Sequence, residues 1–362
     1  MLHFGQANRA TPSSPPPSSH VGYPIHQAEP AWSSRGLIAY VDWGVVEIFR
    51  GGPYVMDPSL SGLWILDPST GAKHRVLPLG ESPAWSPDGE TLAFEWNGQI
   101  GRVGADGSNL RELTFSGANF HPCWHPDGHD ITFDRYPSSW ADGAHVYSIS
   151  AEGGTPRPLC DTPFGDRRTP DWHPDGRRLA VAWNRRAPSY YRFQIYVVDT
   201  ASCAAYRVGY ETQATNYHPR FSPDGNQVVF SRQDAIHPGP PNLWVIDRSG
   251  NTRQLTTAGA DEPAWSPDGK WVAFRNDEWE YSPREKVLWM VNVDDGRLVQ
   301  LTEQWVIPCV DSVHLACRKD STGGSGGSGI GASRSDGAPW ASPTRGWLIG
   351  DSPKADISQR RP

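Results

Sequence analysis

One heptapeptide pattern governs what this chain can fold into. Pro-x-[Trp/Phe]-[Ser/His]-Pro-Asp-Gly occurs at Pro83–Gly89, Pro122–Gly128, Pro170–Gly176, Pro219–Gly225 and Pro263–Gly269, with a degenerate sixth copy, PAWSSRG, at Pro30–Gly36. The aromatic markers Trp32, Trp85, Trp124, Trp172, Phe221 and Trp265 are 53, 39, 48, 49 and 44 residues apart, a spacing in the range of propeller blades. Each copy precedes an apolar run such as LIAYVDW from Leu37 or TLAFEWN from Thr91. A second run closed by a turn follows, such as LWVIDRSG from Leu243, and many copies end in a short strand such as RQLT from Arg253. That makes four strands in each of six repeats.

Runs rich in Val, Ile, Phe, Tyr and Trp between Gly, Asp and Pro read as strands. Stretches such as LWVID lack polar alternation, so both faces of each sheet must be buried. Six such sheets bury one another by standing radially around a channel, which predicts an all-β, six-bladed β-propeller of four-stranded antiparallel blades. Within the motif, Pro presets the turn, Asp accepts backbone N–H groups and Gly takes the positive φ. Asp88, Asp127, Asp175, Asp224 and Asp268 are accordingly read as hairpin residues rather than a ring of acids, and the preceding aromatic residue as packing between blades.

At these residues the chain resembles the TolB-like β-propeller family, related in architecture to WD40-like repeats, over about residues 29–303. The resemblance implies a binding platform, a regulatory module attached to a peptidase, or an enzyme such as an oligogalacturonide lyase. TolB carries a secretion signal and an α/β domain ahead of its propeller, whereas 28 residues precede the repeats here, so a Tol–Pal role is not carried over.

Composition narrows the partners. The 362 residues carry 33 Lys plus Arg against 40 Asp plus Glu, a net −7, which argues against nucleic-acid binding. No apolar run approaches a membrane span. Gly (37) and Pro (34) predict many turns, and 17 Trp exclude wholesale disorder. Residues 1–28 are Pro/Ser-rich, contain no acid, and read as a flexible lead without a secretory signal. A cytoplasmic location is expected unless the true start lies elsewhere; the family resemblance implies a periplasmic one. Residues 304–362 read as a Gly/Ser-rich linker and tail. They include a chance G-x-S-x-G at Gly323–Gly327 and a degenerate motif copy at Ala338–Ile349. Gln304–Val313 or His20–His26 are candidates for a closing strand. Cys123, Cys160, Cys203, Cys309 and Cys317 lack C-x-x-C spacing and are expected to be ordinary thiols.

Two sets of site residues follow. The Pro-Asp-Gly and Asp-x-x-Gly turns share one rim, so the long connections from Gly44, Pro137, Arg185, Asp234 and Glu278 fall on the other, where binding residues usually sit. Those loops carry Phe49, Tyr54, Trp140, Arg185, Arg186, Tyr190, Tyr191, His237, Trp279 and Tyr281, a composition suited to a protein or glycan partner. The residue before each motif Pro (Glu29, Ser82, His121, Thr169, His218, Glu262) should open the innermost strand at the channel mouth. Glu262, Glu29 and His218 then converge there, with His121 further round. The expected function is a monomeric, non-catalytic binding or scaffold protein without a cofactor. The alternative is a lyase or hydrolase acting on an acidic sugar or lactone with a divalent cation at this mouth.

Overall fold

A computed structural model describes residues 27–48, 54–136, 143–160, 165–185, 192–209, 213–234, 239–276 and 286–302. The expected lead up to residue 26, the candidate closing strands, the linker and the Ala338–Ile349 copy lie outside the described residues. Six four-stranded antiparallel sheets form the blades of a β-propeller, with no helix among the described residues. The inner strands are Gln27–Trp32, Glu81–Trp85, Ala118–Trp124, Asp166–Trp172, Thr215–Phe221 and Asp261–Trp265. In every blade strand order follows chain order from the channel outward. A two-stranded ribbon, Val45–Ile48 with Tyr54–Met56, lies within the long connection of blade 1.

Burial on both sheet faces is what the apolar runs require. In the second strands Ile38, Ala39, Leu92, Ala93, Ile131, Phe133, Ala180 and Val181 are all fully buried. The motif tryptophans sit at the seams between blades. The indole N–H groups of Trp85, Trp124 and Trp265 donate to the carbonyls of Ala31, Ala84 and Arg220 in the preceding blade at 3.1, 3.1 and 3.0 Å. Trp172 donates instead to Thr132 Oγ1 at 3.0 Å. Each of these four indoles thus fills a seam and satisfies its one donor there. Blades 6 and 1 close the ring with a shared core of Ile38, Tyr40, Leu66, Ala273 and Leu288 and a Gln27 N–H bond to the Lys286 carbonyl at 2.9 Å.

The Pro-Asp-Gly turns behave as hairpin chemistry. Asp88, Asp127, Asp175 and Asp224 each accept the backbone N–H two residues on at 2.9 Å, and Asp268 does so at 3.1 Å. Hydrogen bonds from the neighbouring Ser hydroxyls hold the Asp88, Asp224 and Asp268 carboxyls below the usual carboxylate range. Where the motif has His in place of Ser, the ring reaches the next blade: His125 Nε2 bonds the Gly176 carbonyl at 2.9 Å and His173 Nε2 the Gly225 carbonyl at 3.1 Å.

One expectation is overturned. Cys160 and Cys203 are not free thiols but a disulfide across 43 residues, with Cα atoms 5.2 Å apart. Sequence spacing is silent on such a pair because the two residues meet through the side-by-side packing of blades 3 and 4. Cys123 is a buried free thiol, as expected.

Candidate functional site at the channel mouth

Every inner strand breaks its pairing at the same place. The six mouth positions adopt left-handed backbone, with φ of 54° at Glu29, 49° at Ser82, 48° at His121, 51° at Thr169, 48° at His218 and 56° at Glu262. The strand register slips across each of them. The cause lies one residue further on, where the motif Pro has no N–H to give the ladder, so a bulge costs least there. Each bulge turns the residue before Pro out of the sheet.

The backbone N–H groups freed by the bulges are taken up by carboxylates. Glu262 Oε2 accepts the Glu29 N–H at 2.7 Å, and Glu29 Oε2 accepts the Ser82 N–H at 2.5 Å. The run of bonds passes from blade 6 to blade 1 to blade 2. Asp134 Oδ1 accepts the Thr169 N–H at 3.0 Å, and Asp261 Oδ1 accepts the Glu262 N–H at 2.8 Å. The second oxygens of the two glutamates are also engaged: Glu29 Oε1 by the Ser82 hydroxyl at 3.1 Å and Glu262 Oε1 by Arg275 at 3.1 Å.

Both histidines are oriented by buried acids. His121 Nδ1 lies 2.8 Å from Asp134, and His218 Nδ1 lies 2.9 Å from Asp261. Their ring centroids are 6.4 Å apart. Burial alone would depress the His121 pKa, but the charge and hydrogen bond of Asp134 outweigh it and raise the group above its ordinary value. Asp261 moves the other way: despite burial, His218 and Arg275 hold its carboxyl well below the usual range. Elsewhere at the mouth the acids crowd one another, and His121 offsets their repulsion only in part. Burial, then repulsion from Glu262, raises Glu29 to about 7, and burial, then repulsion from Glu81, raises Glu95 to about 8.

Glu29, Ser82, His121, His218 and Glu262 line one cavity of about 40 Å³ together with Arg220 and the motif prolines. Thr169, the sixth expected member, is buried behind the wall. Arg220 was not anticipated, yet it had a signal. The residue after the motif Pro is Ala31, Ala84, Cys123 or Ala264 in four copies and charged only as Asp171 and Arg220. Glu81, Glu95, Asp134 and Asp261 lie outside the motif, so the repeat offers no way to find them.

The Glu oxygens at the mouth already hold amides, a hydroxyl and a guanidinium, and among the described residues no group of three or more His, Cys, Asp or Glu side chains is placed to hold a metal ion. On the loop rim, Arg185 is exposed and lies over the rings of Trp183 and Tyr196, with its Cζ 5.1 and 5.8 Å from their centroids. Phe49, Trp140, Arg186, Tyr190, Tyr191, His237, Trp279 and Tyr281 lie outside the described residues. No helix among the described residues is long and apolar enough to cross a membrane.

The six closed blades and their repeated turn define a six-bladed β-propeller. Residues 167–304 match the TolB beta propeller domain family. The chain is 29% identical over 163 residues to the uncharacterized peptidase YuxL of Bacillus subtilis, an alignment covering 42% of this chain and 21% of that protein. It therefore spans about a fifth of that relative. Among solved structures, the putative TolB from Agrobacterium tumefaciens aligns with a TM-score of 0.56 at 23% identity, covering 66% of this chain and 87% of the other. An oligogalacturonate lyase in complex with manganese aligns with a TM-score of 0.51 at 13% identity, covering 79% and 81%. At these identities the structural likeness concerns the fold alone.

Proposed function

We propose that this propeller is a non-catalytic binding platform whose loop-rich rim captures a protein or glycan partner. One observation carries the reading: the polar groups at the mouth are spent on joining blades. Glu262 and Glu29 accept backbone amides of the neighbouring blades, and Asp134 and Asp261 fix the two histidines. A ring stitched this way is a rigid frame, and rigid frames present binding loops. Arg185, stacked on Trp183 and Tyr196 at the root of one such loop, is the kind of pre-oriented cation that anchors interfaces.

The alternative, a lyase or hydrolase of acidic sugars, rests on His121 and His218. With Nδ1 tied to a carboxylate, each directs Nε2 away from its Asp and keeps the geometry of a proton-transfer group. The two readings separate in one set of assays on the full chain. The platform reading expects Arg185→Ala to weaken capture on a glycan array or by an immobilised partner while His121→Gln does not. Turnover of an oligogalacturonate, read as unsaturated product and abolished by His121→Gln, would refute it.

A further inference from the structure

The disulfide joins two left-handed backbone slots, one filled by glycine in blades 1 and 6 and the other by glycine in blade 4. Cys203 closes the turn of blade 4 with its N–H on the Asp199 carbonyl at 2.7 Å and φ of 57°. In blades 1 and 6 the same bond is made by Gly71 and Gly296, with φ of 74° and 73°. Cys160 follows Leu159, whose N–H bonds the Val146 carbonyl, and has φ of 54°. One blade on, Val208 makes the equivalent bond to the Ile195 carbonyl and Gly209, with φ of 77°, takes the next position. Left-handed backbone suits glycine and is unfavourable for a side chain bearing Cβ. Two cysteines that replace glycine at both ends of one contact need a compensating interaction, and the S–S bond supplies it.

Position shows what the bond does. Cys160 lies two residues past the outer strand of blade 3, and Cys203 lies in the turn leading to the outer strand of blade 4. Beneath them Val146 and Leu159 of blade 3 face Leu179, Val181 and Val198 of blade 4. The inner end of this seam is held by Trp172 on Thr132 and by Thr169 on Asp134.

We propose that Cys160 and Cys203 form a redox-set staple across the outer end of the seam between blades 3 and 4, made and broken by exchange with an external disulfide or dithiol. Cys203 is the exposed member. In oxidation its thiolate attacks one sulfur of the external disulfide, forming a mixed disulfide and expelling one thiolate. The Cys160 thiolate then attacks the Cys203 sulfur and expels the second thiolate. The external disulfide gains two electrons, and its two thiolates take up the two protons lost by the cysteines. Reduction is the reverse, with an external thiolate attacking at Cys203.

The test uses the full chain, incubated with oxidised glutathione or with dithiothreitol. After oxidation, peptide mapping with iodoacetamide should find Cys160 joined to Cys203 and neither alkylated. Dithiothreitol should lower Tm by roughly 5–10 °C, the scale expected for opening a loop of this length in a domain of this size. Amide hydrogen exchange should then quicken at residues 157–160 and 196–207. Cys160→Ser should show the lowered Tm without any response to reductant. Cys203→Gly, which restores the usual turn residue, should also lose the response but unfold at a higher temperature than Cys160→Ser. The proposal is overturned if both cysteines are alkylated in oxidised protein, if either pairs with Cys309 or Cys317, or if dithiothreitol breaks the bond without changing Tm.

Discussion

Neutralising Glu95 should make the ring less sensitive to alkali. Glu95 lies near the end of the second strand of blade 2, directly opposite Glu81 in the register, and is 7% exposed. Burial first, and then the charge of Glu81, lift its pKa from an ordinary 4.5 to about 8. A folded carboxyl with a raised pKa binds more protons than the unfolded chain, so its contribution to stability is intact below about 4.5 and is lost as pH rises towards 8. Such a shift corresponds to about 5 kcal/mol at most. Between pH 5.5 and 9, with the repulsion shared among Glu29, Glu81 and Glu95 and partly offset by His121, the expected loss is about 2 kcal/mol. Urea unfolding of the wild type and Glu95→Gln at both pH values measures it. The variant should match the wild type near pH 5.5 and exceed it by about 2 kcal/mol at pH 9. Parallel pH profiles for the two proteins would falsify the reasoning, because they would mean that Glu95 ionises as freely in the fold as in the open chain.

Three further outcomes are expected. Trp265→Ala opens the seam between blades 5 and 6 and removes the bond to the Arg220 carbonyl, so the urea midpoint should fall by the equivalent of about 3–5 kcal/mol. His173 has its pKa lowered by burial and by Arg178, so the folded state favours the neutral ring and loses stability as pH falls below about 6.5; His173→Ser, the residue other blades use, should flatten the acid limb of a Tm profile. Gly225→Ala would set a Cβ 2.2 Å from His173 Nε2, whereas at Gly269, also at φ of 68°, the nearest atom is Pro223 Cδ at 3.8 Å. Thermal unfolding should therefore show a loss near 1 kcal/mol for Gly269→Ala, from backbone strain alone, and a distinctly larger one for Gly225→Ala.

Local chemistry repeated six times is legible in a linear chain, and here it specified the blade. A Pro-Asp-Gly turn needs no partner outside itself, and an apolar run without alternation declares both faces buried, so strand order, blade number and the shared mouth position could all be read ahead of the coordinates. Even Arg220 left a trace, as a charge where half of the copies carry Ala. What the residues at that mouth do was decided by neighbours between 13 and 233 positions away. Glu262 is 233 residues from the Glu29 amide it holds, and Asp134 and Asp261 reach their histidines from sites the motif does not mark. The disulfide belongs to the same category: both cysteines are plain in the chain, but their pairing depends on how blade 3 meets blade 4. Turns and strands follow from the dihedral and burial preferences of adjacent residues. Hydrogen bonds, charge crowding and sulfur pairing depend on distances in space, which exist only after the ring has closed.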